Sequence, residues 1–177
     1  MALGLIPREV FIAAPKLRYV QSLSAGVDPI MYPEFVNSDV PLVSEKGIVG
    51  NQLSEHAFGL LLAITRKVGE LASHKSWLVD RARFRSDMWE LAGMTMGVVG
   101  LGGTGLAVAK RAKAFDMHVI AVDVEEVVKP DYVDDLWHAS KLDDLLAASD
   151  VVVCCLPLTN ETKDLFDYER FQHFKPG

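Results

Sequence analysis

Cysteine is scarce, basic runs are missing and no apolar stretch is long. The two cysteines of the 177-residue chain are neighbours, Cys154 and Cys155, which leaves no spaced thiols for a disulfide framework and no clustered His/Cys spacing for a metal. Neighbours in an extended strand point to opposite faces. The apolar run around these two therefore predicts buried, reduced and inert thiols, as in a cytosolic protein. With 18 basic against 24 acidic side chains and a formal charge of -6, the composition argues against a nucleic-acid partner, which would need clustered Lys and Arg. Arg81, Arg83 and Arg85 are scattered and read as a solvated face. The longest apolar run, residues 57–64, is far shorter than the about 20 residues that span a bilayer. Met1-Ala-Leu-Gly-Leu-Ile6 lacks the basic start and the length of a signal peptide. A soluble, cytoplasmic chain is expected.

What the chain does have is a core and a glycine pattern. Half of its residues are hydrophobic, enough for one or two domains. In Val98-Val-Gly-Leu-Gly-Gly-Thr-Gly105, the residues Gly100, Gly102 and Gly105 have the spacing G-x-G-x-x-G. Gly100 permits a tight turn, Gly102 lets the backbone approach phosphates, and Gly105 lets a helix sit close to a sheet. An anion there meets free N–H groups and the positive end of the helix. The flanks fit that reading. Residues 95–99 form a short apolar run, and Leu106, Ala107, Ala109, Ala112 and Ala114 suit a helix packed on a sheet. A second strand, residues 118–123, ends in Asp123, eighteen positions after Gly105 and close to the roughly 20 expected for a carboxylate that takes the adenosine ribose. The alternative for Asp123 is a solvated strand-end residue. Glu125 and Glu126 follow with no arginine nearby, so an extra 2′-phosphate would meet negative charge and NAD is preferred over NADP.

Along the rest of the chain, residues 1–46 read as part of a small α/β unit, with a helix near 8–13 and a strand near 17–23. Residues 51–78 read as one long helix, since Ala57, Leu61, Ile64, Val68 and Leu71 recur at spacings of four and three. Such a helix serves either to meet another subunit or to pack within its own, and the pattern alone does not choose. A polar connector with Trp77 and Trp89 leads into alternating strands and helices: strands at 95–99, 118–123, near Leu136 and at 151–156, helices at 103–115 and 142–148. That alternation predicts a parallel sheet covered on both faces. The expected fold class is α/β, a Rossmann-like parallel sheet, truncated, with a remnant of a smaller flavodoxin-like domain. The division falls at residues 1–46 and 47–177.

Taken together, Ser24-Ala-Gly-Val-Asp28, Ser54-Glu-His-Ala57, the glycine loop, the run from Leu142 to Val152 leading into Leu156-Pro-Leu-Thr-Asn-Glu-Thr162, and Lys175-Pro-Gly177 resemble the D-isomer-specific 2-hydroxyacid dehydrogenases. That family includes D-lactate, glyoxylate/hydroxypyruvate and phosphoglycerate dehydrogenases. The resemblance implies a smaller, partial substrate domain followed by a partial NAD-binding domain. It implies that Ala25 and Gly26 offer backbone N–H groups to a substrate carboxylate, with Ala25 also near the nicotinamide. Gly103 and Thr104 would meet the pyrophosphate with Gly100, Gly102 and Gly105, Asp123 the ribose, Leu156 and Pro157 the adenine side, and Thr162 the cofactor again. On local sequence, Ala25-Gly26 also reads as an ordinary turn, Pro157 as a strand end and Thr162 as a helix cap.

The resemblance further implies catalysis by an Arg, a His and a Glu, all of which would lie beyond Gly177, so no catalytic residue is assigned within these residues. Glu55 and His56 are adjacent on a helix start and face different ways. His74, His118, His138 and His173 match no catalytic position. The expected activity is hydride transfer between NAD(H) and a 2-hydroxy or 2-keto acid, inactive in these residues alone, in a homodimer joined through the helix from Asn51 to Leu78. No metal, nucleic acid or membrane partner is expected. The rival reading is a non-catalytic NAD-binding regulator, similar to the family's corepressor branch.

Overall fold

A computed structural model describes residues 1–74 and 81–176. The end of the expected long helix with Trp77 and Leu78, the side chains of Arg81 and Arg83, and Gly177 lie outside the described residues. The chain forms two compact units, residues 1–49 with 156–167 and residues 50–155 with 168–177.

In the first unit, β1 (Ala2–Leu3), α1 (Arg8–Ile12), β2 (Val20–Gln21), α2 (Pro33–Val36) and β3 (Leu42–Val43) follow one another. The strands form a parallel sheet in the order β1-β2-β3, with Val20 opposite both Ala2 and Leu42. Val20, Ile30 and Phe35 are its buried centre. Phe11 meets Phe35 edge-on at 5.2 Å and so docks α1 on α2. The Arg8 guanidinium hydrogen-bonds Glu34 across the same pair and holds that carboxyl down at about 2. The expected strand over 17–23 is only two residues long. Ser22 is buried, but its hydroxyl bonds the backbone of Ser24 and so turns the chain out of the sheet.

The second unit runs α3 (Gly50–Thr65), α4 (Val68–Ser73), α5 (Arg81–Asp87), β4 (Thr95–Val99), α6 (Gly103–Ala114), β5 (His118–Asp123), β6 (Asp135–His138), α7 (Leu142–Ala148), β7 (Val151–Cys154) and α8 (Tyr168–Phe171). Its four strands are all parallel in the order β6-β5-β4-β7. The strand order reverses beside β4, and the crevice at the carboxyl ends there is where such sheets bind ligands. Apolar runs suit β4 and β5 because both are covered on two faces. Met96, Val98, Val119 and Ala121 pack with Val108, Ala109 and Ala112 of α6, while Gly97 accommodates Leu145 of α7 on the opposite face. Each fully buried aliphatic side chain contributes roughly 1.5–3 kcal/mol.

Two expectations are corrected. The helix expected from Asn51 to Leu78 is interrupted: α3 ends at Thr65, Lys67 takes a left-handed φ of 55°, and α4 restarts at Val68. The last carbonyl of α3 accepts the N–H of Trp89 at 3.2 Å, which satisfies the helix end without a further turn. The strand expected over 151–156 ends at Cys154, and Cys154 is exposed rather than buried. It closes an edge strand, where one flank of the sheet has no neighbour among the described residues. Cys155 is half-buried, and burial raises its thiol to about 11.

One polar cluster fastens the amino end of β5. Asp134 accepts from Lys113 Nζ at 2.7 Å and from the N–H of Val119 at 2.8 Å. The lysine first, and then that N–H, hold its carboxyl below the usual range against the opposing effect of burial. A depressed folded-state pKa adds stability above the unfolded value of about 3.9, and that stability is lost as pH falls through the folded value. Asp134→Asn is expected to lower the melting temperature at pH 7, by an equivalent of roughly 1 kcal/mol for a partly exposed pair. Thermal melts at successively lower pH should show wild type and variant converging below pH about 4. A gap that persists in acid would mean that the cluster acts by packing and not by charge.

Candidate nucleotide-binding site

The loop between β4 and α6 is shaped by two glycines for different reasons. Gly100 has a φ of 90°, a conformation that side chains rarely adopt, and its N–H donates to the carbonyl of Val122 at 2.8 Å. Gly105 is needed for space: a Cβ there would lie 2.0 Å from the carbonyl oxygen of Gly100 and 3.2 Å from Val98. Gly102 differs from both, since a Cβ at that position meets nothing within 4 Å. It is exposed and stands at the N-cap of α6, where no side chain caps the helix. The N–H groups of Gly102, Gly103, Thr104 and Gly105 find no partner among the described residues, and the first bond of the helix is from Leu106 to Gly102. Four unpaired amides at the positive end of a 12-residue helix, with Gly102 and Gly103 exposed, suit the pyrophosphate of a dinucleotide.

Asp123, the last residue of β5, is brought to this loop. Its Oδ2 accepts the N–H of Leu101 at 2.7 Å and its Oδ1 the N–H of Glu125 at 2.9 Å. The solvated strand-end reading is therefore incomplete, because the carboxylate braces the glycine loop. Each oxygen retains a lone pair for a further donor. Glu125 and Glu126 are exposed next to it.

In the first unit, Ala25 and Gly26 form an exposed turn after β2, and neither N–H has a partner among the described residues. Leu156 is half-buried and Pro157 exposed. The hydroxyl of Thr162 donates to the carbonyl of Pro157 at 2.6 Å and accepts the N–H of Thr159 at 2.8 Å. Thr162 thus closes its own loop, a role visible beforehand only as the spacing of Thr159 and Thr162.

The candidate acid–base residues are not assembled. Glu55 pairs with Arg111 at 2.9 Å on the surface, and His56 is exposed. His118 is the one histidine paired with carboxylates among the described residues, at 3.4 Å from Asp134 and 3.3 Å from Asp135. The arrangement looks like an acid–base pair, but it sits at the amino end of the six-residue β5, roughly 17 Å along the strand from the glycine loop. Sequence reading missed this pairing. It depends on the parallel register that sets Ile120 opposite Asp135, a tertiary feature with no signal in the sequence.

Comparison with known proteins agrees with this geometry. The description "D-isomer specific 2-hydroxyacid dehydrogenase, NAD binding domain" matches residues 58–177. The chain is 33% identical over 182 residues to a glyoxylate reductase of Thermofilum pendens, covering 96% of this chain and 51% of that protein. It is 37% identical over 182 residues to a D-3-phosphoglycerate dehydrogenase of Mycobacterium leprae, covering 97% of this chain and 32% of that protein. Among solved structures, D-lactate dehydrogenase of Aquifex aeolicus, complexed with NAD and lactic acid, superposes with a TM-score of 0.77 at 25% identity, over 99% of this chain and 53% of that one. The chain therefore spans from about half to a third of the length of these curated relatives. With a parallel sheet, a glycine loop of unpaired amides and a family match over more than half of its residues, the chain belongs to the D-isomer specific 2-hydroxyacid dehydrogenase family.

Proposed function

We propose that the chain contributes the NAD-holding part of an oxidoreductase that passes hydride between NAD(H) and a 2-hydroxy or 2-keto acid. The observation that carries this is the cradle of unpaired amides at Gly102–Gly105, braced by Asp123. NAD(H), when bound, supplies the hydride at its nicotinamide ring, and the protein's task is to hold and orient it. In this reading the glycine loop, with Gly100, Gly103 and Thr104, receives the pyrophosphate, and Asp123 receives the ribose hydroxyls. The carboxylates of Asp123, Glu125 and Glu126 disfavour a 2′-phosphate. Leu156 and Pro157 border the adenine, Thr162 shapes the loop beside them, and the free amides of Ala25 and Gly26 take the substrate carboxylate. Residues 1–46 are assigned to the substrate domain and 47–177 to the NAD domain. The relatives named above are a reductase and dehydrogenases, which favours catalysis over the regulator reading. No helix among the described residues is long and apolar enough to cross a membrane; a cytoplasmic location is part of this proposal.

These 177 residues, tested as a polypeptide, are expected to bind NADH without measurable turnover. No histidine stands beside the cradle with a carboxylate partner among the described residues, and general acid–base assistance contributes about 10²- to 10⁴-fold. Calorimetric titration with NADH, followed by assays on glyoxylate, hydroxypyruvate and pyruvate, checks both halves. Robust turnover that is lost on replacing one of the five histidines would move the catalytic acid to that residue.

The same reading includes a homodimer. Leu53, Leu60 and Ile64 are exposed at helical spacings along α3, on the side away from buried Ser54, Phe58 and Thr65. Burying such a stripe against its own copy is the simplest symmetric use of it. Ile64→Glu is expected to give a monomer of unchanged fold in sedimentation experiments, where the wild type dimerises. A wild-type mass that stays monomeric at every concentration would remove the dimer from this account.

A further inference from the structure

We propose that Gly50 is a positioning residue for the glycine loop: by lacking a side chain it lets the first turn of α3 rest on the first residue of α6, and so sets where the cofactor-binding amides lie. The inference rests on the NAD reading above. Glycine is a poor helix former, so its place at the head of a 16-residue helix calls for a reason. Its backbone is not left-handed, and the reason is space. A Cβ on Gly50 would lie 2.6 Å from the carbonyl oxygen of Gly103, 3.1 Å from the carbonyl carbon and 3.5 Å from the Cβ of Ala107. The nearest two are backbone atoms, which no rotamer change can move aside.

The rest of the interface leaves little room for relief elsewhere. Farther along α3, Phe58 stacks on Phe115 at 5.1 Å. Near its start, Arg111 of α6 bonds Glu55 Oε1 at 2.9 Å and Asn51 Oδ1 at 3.4 Å. Within α3, buried Ser54 returns its hydroxyl to the carbonyl of Gly50 at 2.7 Å and so ties residue 50 to its own helix. With the two helices held along their length, a methyl group at residue 50 displaces the first turn of α6. That turn carries Gly103 and Thr104, whose amides are in the proposed pyrophosphate cradle. The effect should therefore be selective for ligands with phosphate.

The test compares wild type with Gly50→Ala, using Gly59→Ala as control because a Cβ at Gly59 of the same helix meets nothing within 4 Å. NADH, ADP-ribose and adenosine are titrated into each, and amide resonances are recorded without ligand. Gly50→Ala is expected to weaken NADH and ADP-ribose at least tenfold, to leave adenosine within twofold, and to shift the amides of Gly103–Gly105. Gly59→Ala should do none of these, and it supplies a helix-stabilised background should Gly50→Ala fold poorly alone. Unchanged ADP-ribose affinity, or an equal loss for ADP-ribose and adenosine, would overturn the proposal. A folded wild type that binds no NADH would overturn the NAD reading instead. In that case unmoved amides at Gly103–Gly105 would still refute the structural coupling, and shifted ones would uphold it.

Discussion

Gly102→Val is expected to abolish measurable NADH binding while the chain keeps its fold. A Cβ at residue 102 has nothing within 4 Å beyond its chain neighbours, so a side chain can start there, and the branches of valine are expected to fill the space in front of the free amides. Its backbone, with φ of -74° and ψ of -166°, is extended and open to any residue. The cost to the fold is the exchange of a tolerated N-cap glycine for a poor capping residue, about 1 kcal/mol or less. The cost to binding is much larger, because in the proposed reading the pyrophosphate comes within hydrogen-bond distance of Gly102, Gly103 and Thr104 and the branched side chain would hold it off. Near-ultraviolet circular dichroism should be unchanged, and NADH fluorescence enhancement should vanish. Normal NADH binding by the variant would show that this loop is not a phosphate cradle.

The second large effect is at Asp123. Asp123→Ala is expected to weaken NADH binding by roughly 1.5–3 kcal/mol, the range for hydrogen bonds to a charged acceptor, or about tenfold to a hundredfold. Rejection of NADPH should fall at the same time. Because the carboxylate also holds the N–H of Leu101, part of the loss comes through the loop. Asp123→Asn separates the contributions: it keeps an oxygen for that N–H and removes the charge. If Asn preserves both the NADH affinity and the discrimination, Asp123 serves only as a brace for the glycine loop.

The second unit was legible from the sequence where each residue's environment repeats along one element. Strands at 95–99 and 118–123 and the helix at 142–148 are observed with those bounds, since apolar runs between turn residues leave few other solutions. Elements that depend on a partner far along the chain were not legible. The helix break at Lys67 follows from Trp89 satisfying the carbonyl of Thr65, a contact no local pattern announces. Exposure of Cys154 depends on the edge position of β7, which residue type does not encode. In the candidate site, G-x-G-x-x-G located the loop and spacing located Asp123. That Asp123 braces Leu101, and that Gly50 lies against Gly103, are tertiary facts with no periodic signal. Gly100 and Gly105 came out with the separate duties of turn and close approach, because each duty follows from position relative to strand and helix.

The most direct test of the central claim is an amide chemical-shift titration of the isotopically labelled chain with NADH. The account predicts saturable shifts, at one site per chain, that are largest at Gly102, Gly103, Thr104 and Gly105 and extend to Asp123. A folded chain whose glycine-loop amides stay unmoved while NADH is added, or move no more than those of β6 and α7, would contradict it.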